Sequence, residues 1–310
     1  MGSDLPLWQP LQSLPMAHHP HHDHGHTHGP DHRDWAAHGQ RLVDEGELRM
    51  PILQQAIDAI AAHVGPVDAV RRIFDLGSGP GVATVALAQR FSNAAVTAVD
   101  LAAPLAEQAH ARGDAFGVGD RVTGAVADLE QPLTDLAEAG SVDVVWASMV
   151  LHHVAALPAA LDEIGNLLRP GGLLAVLEFG TAPGPLPAGF PIGGDGFVDR
   201  HSRAVRAGLA DHLPPGATTL DWPSLLIAAN VDLLDHRELV LHLPAPLDHA
   251  GRRSIHQMLA MTSGMAHDHL SATDRDTLAA LIDPDDPACV VHRDDLPLDI
   301  ALTFALGRRR

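Results

Sequence analysis

The 310-residue chain contains no tyrosine, no lysine and only one cysteine, Cys289. Without a second thiol it can form neither an intrachain disulfide nor a cysteine-based zinc cluster, and this usage suits a reducing compartment. Every cation among the 20 basic residues is an arginine, and against 39 acidic residues the formal charge is −19 with histidine neutral. That balance argues against a broad surface for nucleic acid or anionic membrane, since either partner needs clustered positive charge. The run Arg308, Arg309, Arg310 is too short to reverse it. No apolar run approaches the ~20 residues of a membrane span. The first residues carry Asp4, three early prolines and no basic residue before Arg33, so no secretory signal is expected. These absences lead us to expect a soluble cytoplasmic protein that binds neither nucleic acid nor membrane, for which a homodimer is compatible.

What is present divides along the chain. Residues 1–33 are rich in Pro, Gly and His, include "HHPHHDHGHTHGPDH", and show no apolar periodicity, so a disordered arm is expected. Nine histidines fall between Met16 and Gln40, and His22, His24, His26 and His28 alternate. On an extended chain these four imidazoles would share one side, a donor set that binds Zn²⁺ or Ni²⁺ with modest affinity. The arm is a tail without a role, a metal buffer, or a ligand set beside a catalytic centre; the sequence leaves all three open.

Asp34 can cap a first helix, and Leu53, Ile57, Ile60 and Val64 recur at helical spacing in a second, giving a helical lid over residues 34–70. Short apolar runs then alternate with amphipathic stretches. Strands are expected at 71–76, 95–100, 122–127, 142–148 and 172–179, which implies a parallel, doubly wound α/β sheet. Beyond 180 we expect helices at 197–212, 222–233 and 250–283, and strands at 237–246 and 298–307 that complete the sheet. Residues 181–215 and 248–287 would be cap insertions above the strand ends, where substrate pockets of open α/β sheets lie. Met258, Met261 and Met265 at spacings of three and four read as packing within that cap.

The most informative stretch is "RRIFDLGSGPGVATVALAQR", residues 71–90. A strand ends at Asp75 and Leu76, turns through Gly77, Ser78, Gly79, Pro80 and Gly81, and enters an Ala-rich helix. Glycines there let the backbone take positive φ and approach a ligand closely. A dinucleotide fingerprint would need a third glycine where Val82 stands. The second strand ends at Asp100 and Leu101, where a carboxylate can accept both ribose hydroxyls; the third ends near Asp128 and Leu129, and the fourth at Ala147 and Ser148.

Together with "VDVVWASMVLHHV" and "LLRPGGLLAVLEFG", these residues resemble a class I S-adenosylmethionine-dependent methyltransferase over residues 70–180. The resemblance implies a seven-stranded Rossmann-like sheet whose last strand runs antiparallel. It also implies S-adenosylmethionine as cofactor, with Asp75 to Gly81 on the methionine portion, Asp100 and Leu101 on ribose and adenine, and Asp128 and Leu129 at the adenine edge. Ala147 and Ser148 would line the methionine side. His152 and His153, just past the fourth strand, and Glu178, at the end of the fifth, are candidates for removing the acceptor's proton. The acceptor implied is an O- or N-nucleophile on a small, hydrophobic metabolite. Two rivals remain: an NAD(P)-dependent Rossmann oxidoreductase, and a metal-binding or regulatory protein that works through the histidine arm.

Overall fold

A computed structural model describes residues 34–180 and 184–310. The chain opens with α1 (Trp35–Leu48), whose first turn is capped by Asp34 accepting from the amides of Ala36 and Ala37 at 3.1 and 3.0 Å. It continues into α2 (Met50–His63), which buries Leu53, Ile57 and Ile60. The alternating part follows as β1 (Arg72–Leu76), α3 (Val82–Arg90), β2 (Ala95–Asp100), α4 (Ala103–Ala115), β3 (Val122–Val126), β4 (Val142–Ser148), α5 (Leu157–Leu167) and β5 (Leu168–Phe179). The remainder is α6 (Phe197–His212), α7 (Trp222–Ala228), β6 (Val231–Leu243), α8 (His249–Ala266), α9 (Ala272–Ile282) and β7 (Leu298–Arg309).

The strands form one seven-stranded sheet in the order β3-β2-β1-β4-β5-β7-β6. The first five are parallel, and β7 runs antiparallel to both β5 and β6. The near-continuous apolar runs of β1, β4 and β5 are buried because helices cover the sheet on both faces. Strand order reverses between β1 and β4, so the switch point of the sheet lies at the carboxyl ends of these two strands. Asp75 in β1 stands beside Trp146 in β4, and Ser148 in β4 beside Leu177 in β5.

Two expectations from the sequence are corrected. The helix expected over 222–233 stops at Ala228, because Asn230 takes a left-handed φ of 61° and the chain turns into a strand. That strand starts at Val231 rather than 237 and pairs with β7 to Leu243, with a register shift between Leu233 and Asp235, and Pro244 ends it. Long-range pairing with β7 overrides the helical spacing of the apolar residues. The methionines of α8 are also not its core: the buried residues are Gly251, Ser254, Ile255, Leu259 and Ala266, while Met261 is 41% exposed.

At the opposite end of the sheet from this switch point, Asp143 ties three elements together. Its Oδ2 accepts from the amides of Arg71 and Arg72 at 2.8 and 3.0 Å, and its Oδ1 accepts from Arg169 Nε at 2.6 Å. Burial opposes the charge, but Arg169 and the two amides hold the carboxyl below its usual range. Asp143→Ala would leave the part-buried amides of Arg71 and Arg72 without this acceptor. We expect it to destabilise the protein by roughly 1–3 kcal/mol, read as a lower urea midpoint with an unchanged m-value.

Candidate active site

The turn after β1 is built of residues that could not be replaced by larger ones. Gly77, Gly79 and Gly81 have φ of 66°, 52° and 81°, in the left-handed region that favours glycine. A Cβ on Gly77 would lie 2.3 Å from Val150 Cγ2, and one on Gly81 would lie 2.7 Å from Ala109 Cα. The loop is thus packed against the segment after β4 on one side and α4 on the other. Its third neighbour is α1: Leu42 Cδ1 lies 3.5 Å from where a Cβ on Gly79 would sit.

Helix α1 is held there by contacts that sequence reasoning missed. Gly39 and Gly46, seven residues apart, leave room for Gln108 and Val82, and Glu47 pairs with Arg112 of α4 at 2.6 Å. From above, Gln257 of α8 donates to Asp44 at 3.3 Å. The signal available in the sequence was the pair of glycines inside an otherwise helical pattern.

The acidic residues divide by role. Asp100 Oδ2 accepts from the Gly79 amide at 2.9 Å and Oδ1 from the Ala102 amide at 2.9 Å, so this half-buried carboxylate braces the loop and opens the next turn. Each oxygen keeps further accepting capacity. Leu101 beside it is 69% exposed, a large apolar side chain presented just past the end of β2. Asp128 accepts from the Glu130 amide at 2.9 Å, Leu129 is buried at the core's margin, and Val126, paired with Asp100, is 57% exposed.

Asp75 departs from expectation. The sequence suggested a carboxylate beside the ligand; instead it is 1% exposed, and its Oδ2 accepts from Thr84 Oγ1 of α3 at 2.5 Å. It supports the loop from beneath. Burial pushes its carboxyl up to about 7, the Thr84 hydrogen bond opposing and the nearby Asp100 adding to the rise.

The fourth group is the turn after β4. Ala147 is buried, Ser148 half-buried, and Met149 adopts a φ of 54°, strained for a side-chain-bearing residue. The turn is anchored on β5: Met149 N donates to Leu177 O at 2.8 Å, and the amides of Val150 and Leu151 donate to Glu178 Oε1 at 2.9 and 2.8 Å. The other oxygen of Glu178 meets His152 Nδ1 at 2.6 Å. Glu178 is therefore not a solvated strand-end carboxylate but a buried one, 2% exposed, and His152 is 4% exposed. His153 is exposed, with its ring centroid 4.1 Å from that of His152. Although the residue is exposed, partial burial of its ring, and then His152, hold the His153 pKa below its usual value, against the pull of Glu178.

These residues fit S-adenosylmethionine. The glycine turn leaves the backbone of Gly77 and Ser78 half-exposed, Asp100 has accepting capacity suited to a diol, Leu101 offers an apolar face, and the acidic surroundings suit a cation better than a pyrophosphate. His22, His24, His26 and His28 lie outside the described residues. Among the described residues no group of three or more His, Cys, Asp or Glu could hold a metal ion, and no helix is long and apolar enough to cross a membrane.

Because the folded-state pKa of Asp75 is raised, folding favours its protonated form. Its contribution is most favourable below the unfolded carboxyl value near 4 and is lost as pH rises to about 7. Asp75→Asn removes that titration. Urea unfolding should show the variant gaining on the wild type by a few kcal/mol between pH 4 and 8; parallel pH curves would contradict the assignment.

Residues 74–176 match the family described as "Methyltransferase domain". The chain is 34% identical over 121 residues to the 27-O-demethylrifamycin SV methyltransferase of Amycolatopsis mediterranei, covering 39% of this chain and 43% of that one. It is 30% identical over 142 residues to the tRNA 5-carboxymethoxyuridine methyltransferase of Escherichia coli, covering 44% and 49%. With the demethylmenaquinone methyltransferase of Clavibacter sepedonicus it shares 33% identity over 204 residues, covering 60% of this chain and 76% of the relative. The match to the first two spans less than half of their length, and the three names point to different acceptors. The glycine cradle, the acidic strand ends and these likenesses agree: the chain belongs to the class I S-adenosylmethionine-dependent methyltransferases.

Proposed function

We propose that this protein transfers a methyl group to an O- or N-nucleophile of a small, hydrophobic metabolite. S-adenosylmethionine, when bound, supplies a methyl group on a sulfonium, which an acceptor lone pair takes as the carbon–sulfur bond breaks. The chain's own work is to hold donor and acceptor in line and to receive the acceptor's proton.

The contact of Val150 with Gly77 carries this reading, because it sets the turn bearing His152 and His153 directly against the glycine turn. Asp100, through its bond to the Gly79 amide, fixes the shape of the loop and offers its remaining lone pairs to a ribose. Leu101 and Val126 supply apolar surface for adenine, and Asp128 stands at its edge. His153 is the proton acceptor: it is exposed, and its lowered pKa leaves it neutral near pH 7.

Two features favour a small apolar acceptor over a polyanion. The formal charge of −19 repels nucleic acid, and α8, which reaches over α1, carries Met261 exposed beside Arg41, with Met258 and Met265 half-buried.

Calorimetric titration with S-adenosylhomocysteine beside NADH tests the cofactor. We expect micromolar binding of the first alone. Asp100→Ala should weaken that binding more than tenfold, about 1.4 kcal/mol. His153→Ala should leave it within twofold while lowering kcat on an acceptor found by screening by about 10²–10⁴. Equal kcat in variant and wild type would remove His153 from the chemistry.

A further inference from the structure

The buried pair behind His153 has a definite polarity. Where Glu178 is ionised it only accepts, and the His152 nitrogen that faces its Oε2 at 2.6 Å then carries a proton whether the ring is neutral or charged. In the neutral ring the lone pair is then on Nε2. The ring packs against Phe179, at a centroid distance of 4.4 Å, and against His153, at 4.1 Å, which restricts its rotation. The same carboxylate holds the backbone of the turn through the amides of Val150 and Leu151, just after the strained Met149.

We propose that Glu178 is a positioning residue, which keeps the proton of His152 on Nδ1 and, through that ring, sets the orientation of His153 beside the glycine turn. It acts through others: its oxygens are engaged by two amides and an imidazole, 2% of the residue is exposed, and it does not itself take the acceptor's proton. The chain of contact runs from Glu178 to His152 by hydrogen bond, from His152 to His153 by ring contact, and from Glu178 to Gly77 by way of Val150. The purpose of this arrangement rests on the methyl-transfer reading, whereas the tautomer does not.

An isosteric change separates orientation from bulk. In Glu178→Gln the side-chain carbonyl is required by the two amides, so the amide NH₂ faces His152 Nδ1. That nitrogen must then become an acceptor, and the proton moves to Nε2. The experiment is ¹H–¹⁵N correlation of the ring nitrogens in full-length protein labelled on histidine, saturated with S-adenosylhomocysteine, with His152→Asn used for assignment.

We expect the wild-type His152 to show a protonated Nδ1 with a downfield, slowly exchanging proton. Glu178→Gln should lose that signal, exchange the two nitrogen positions and displace the His153 ring resonances, while S-adenosylhomocysteine affinity stays within twofold. A wild-type His152 protonated on Nε2 alone overturns the proposal, as does an unchanged tautomer in the variant; the wild-type spectrum decides even if the variant does not fold. A failure of S-adenosylhomocysteine to bind the wild type would strike the methyl-transfer reading instead, and the spectrum without ligand would still report the tautomer.

Discussion

The site depends on how closely its neighbours approach the glycine turn after β1. Val150, Ala109 and Leu42 come from three elements far apart in the chain, and each reaches into space that a side chain at Gly77, Gly81 or Gly79 would need or border. The positive φ of all three glycines and the lack of a Cβ answer one demand, which is that backbone, not side chain, forms the turn after β1. Because the strand order reverses here, the glycine turn stands at the switch point of the sheet. Helix α1 closes over it, secured to α4 by Glu47 and Arg112.

Carboxylates of similar composition serve different ends according to where the sheet puts them. Asp143, at the amino end of its strand, is consumed entirely by Arg71, Arg72 and Arg169 and is a structural tie. Asp75 is buried under the loop with Thr84 as partner, where its charge is costly. Asp100 braces the loop while still half-exposed. Glu178 is buried like Asp75, yet it is surrounded by donors and organises the turn that carries the two imidazoles. The polarity of parallel strands explains the division: their carboxyl ends meet the candidate site, and their amino ends meet only turns and helix ends.

Much of this architecture was legible without coordinates. The five parallel strands of the core lie where alternating apolar runs indicated, with boundaries that shift by a few residues at most, and α6 spans the stretch expected for it. Such segments are local: periodicity, glycine turns and an Asp cap act over a few residues. The region of Asn230 was misread because its apolar spacing is compatible with a helix, and only the partner strand β7, nearly seventy residues downstream, makes it a strand. The methionines of α8 misled for a similar reason, since helical spacing says which residues share a face but not whether that face is covered.

The sequence by itself determined the fold class, the family and the identity of the groups at the strand ends, because a Gly-rich turn after an apolar strand and acidic residues at fixed intervals leave few alternatives. Tertiary structure decided the partners and burial of each of those groups. Whether Asp75 is exposed or buried on Thr84, whether Glu178 is solvated or bonded to His152, and which of two adjacent histidines is accessible depend on burial and on partners from distant elements. A side chain's charge, proton and reach are set by its surroundings in three dimensions, and those surroundings do not exist until β1, β4 and β5 lie side by side.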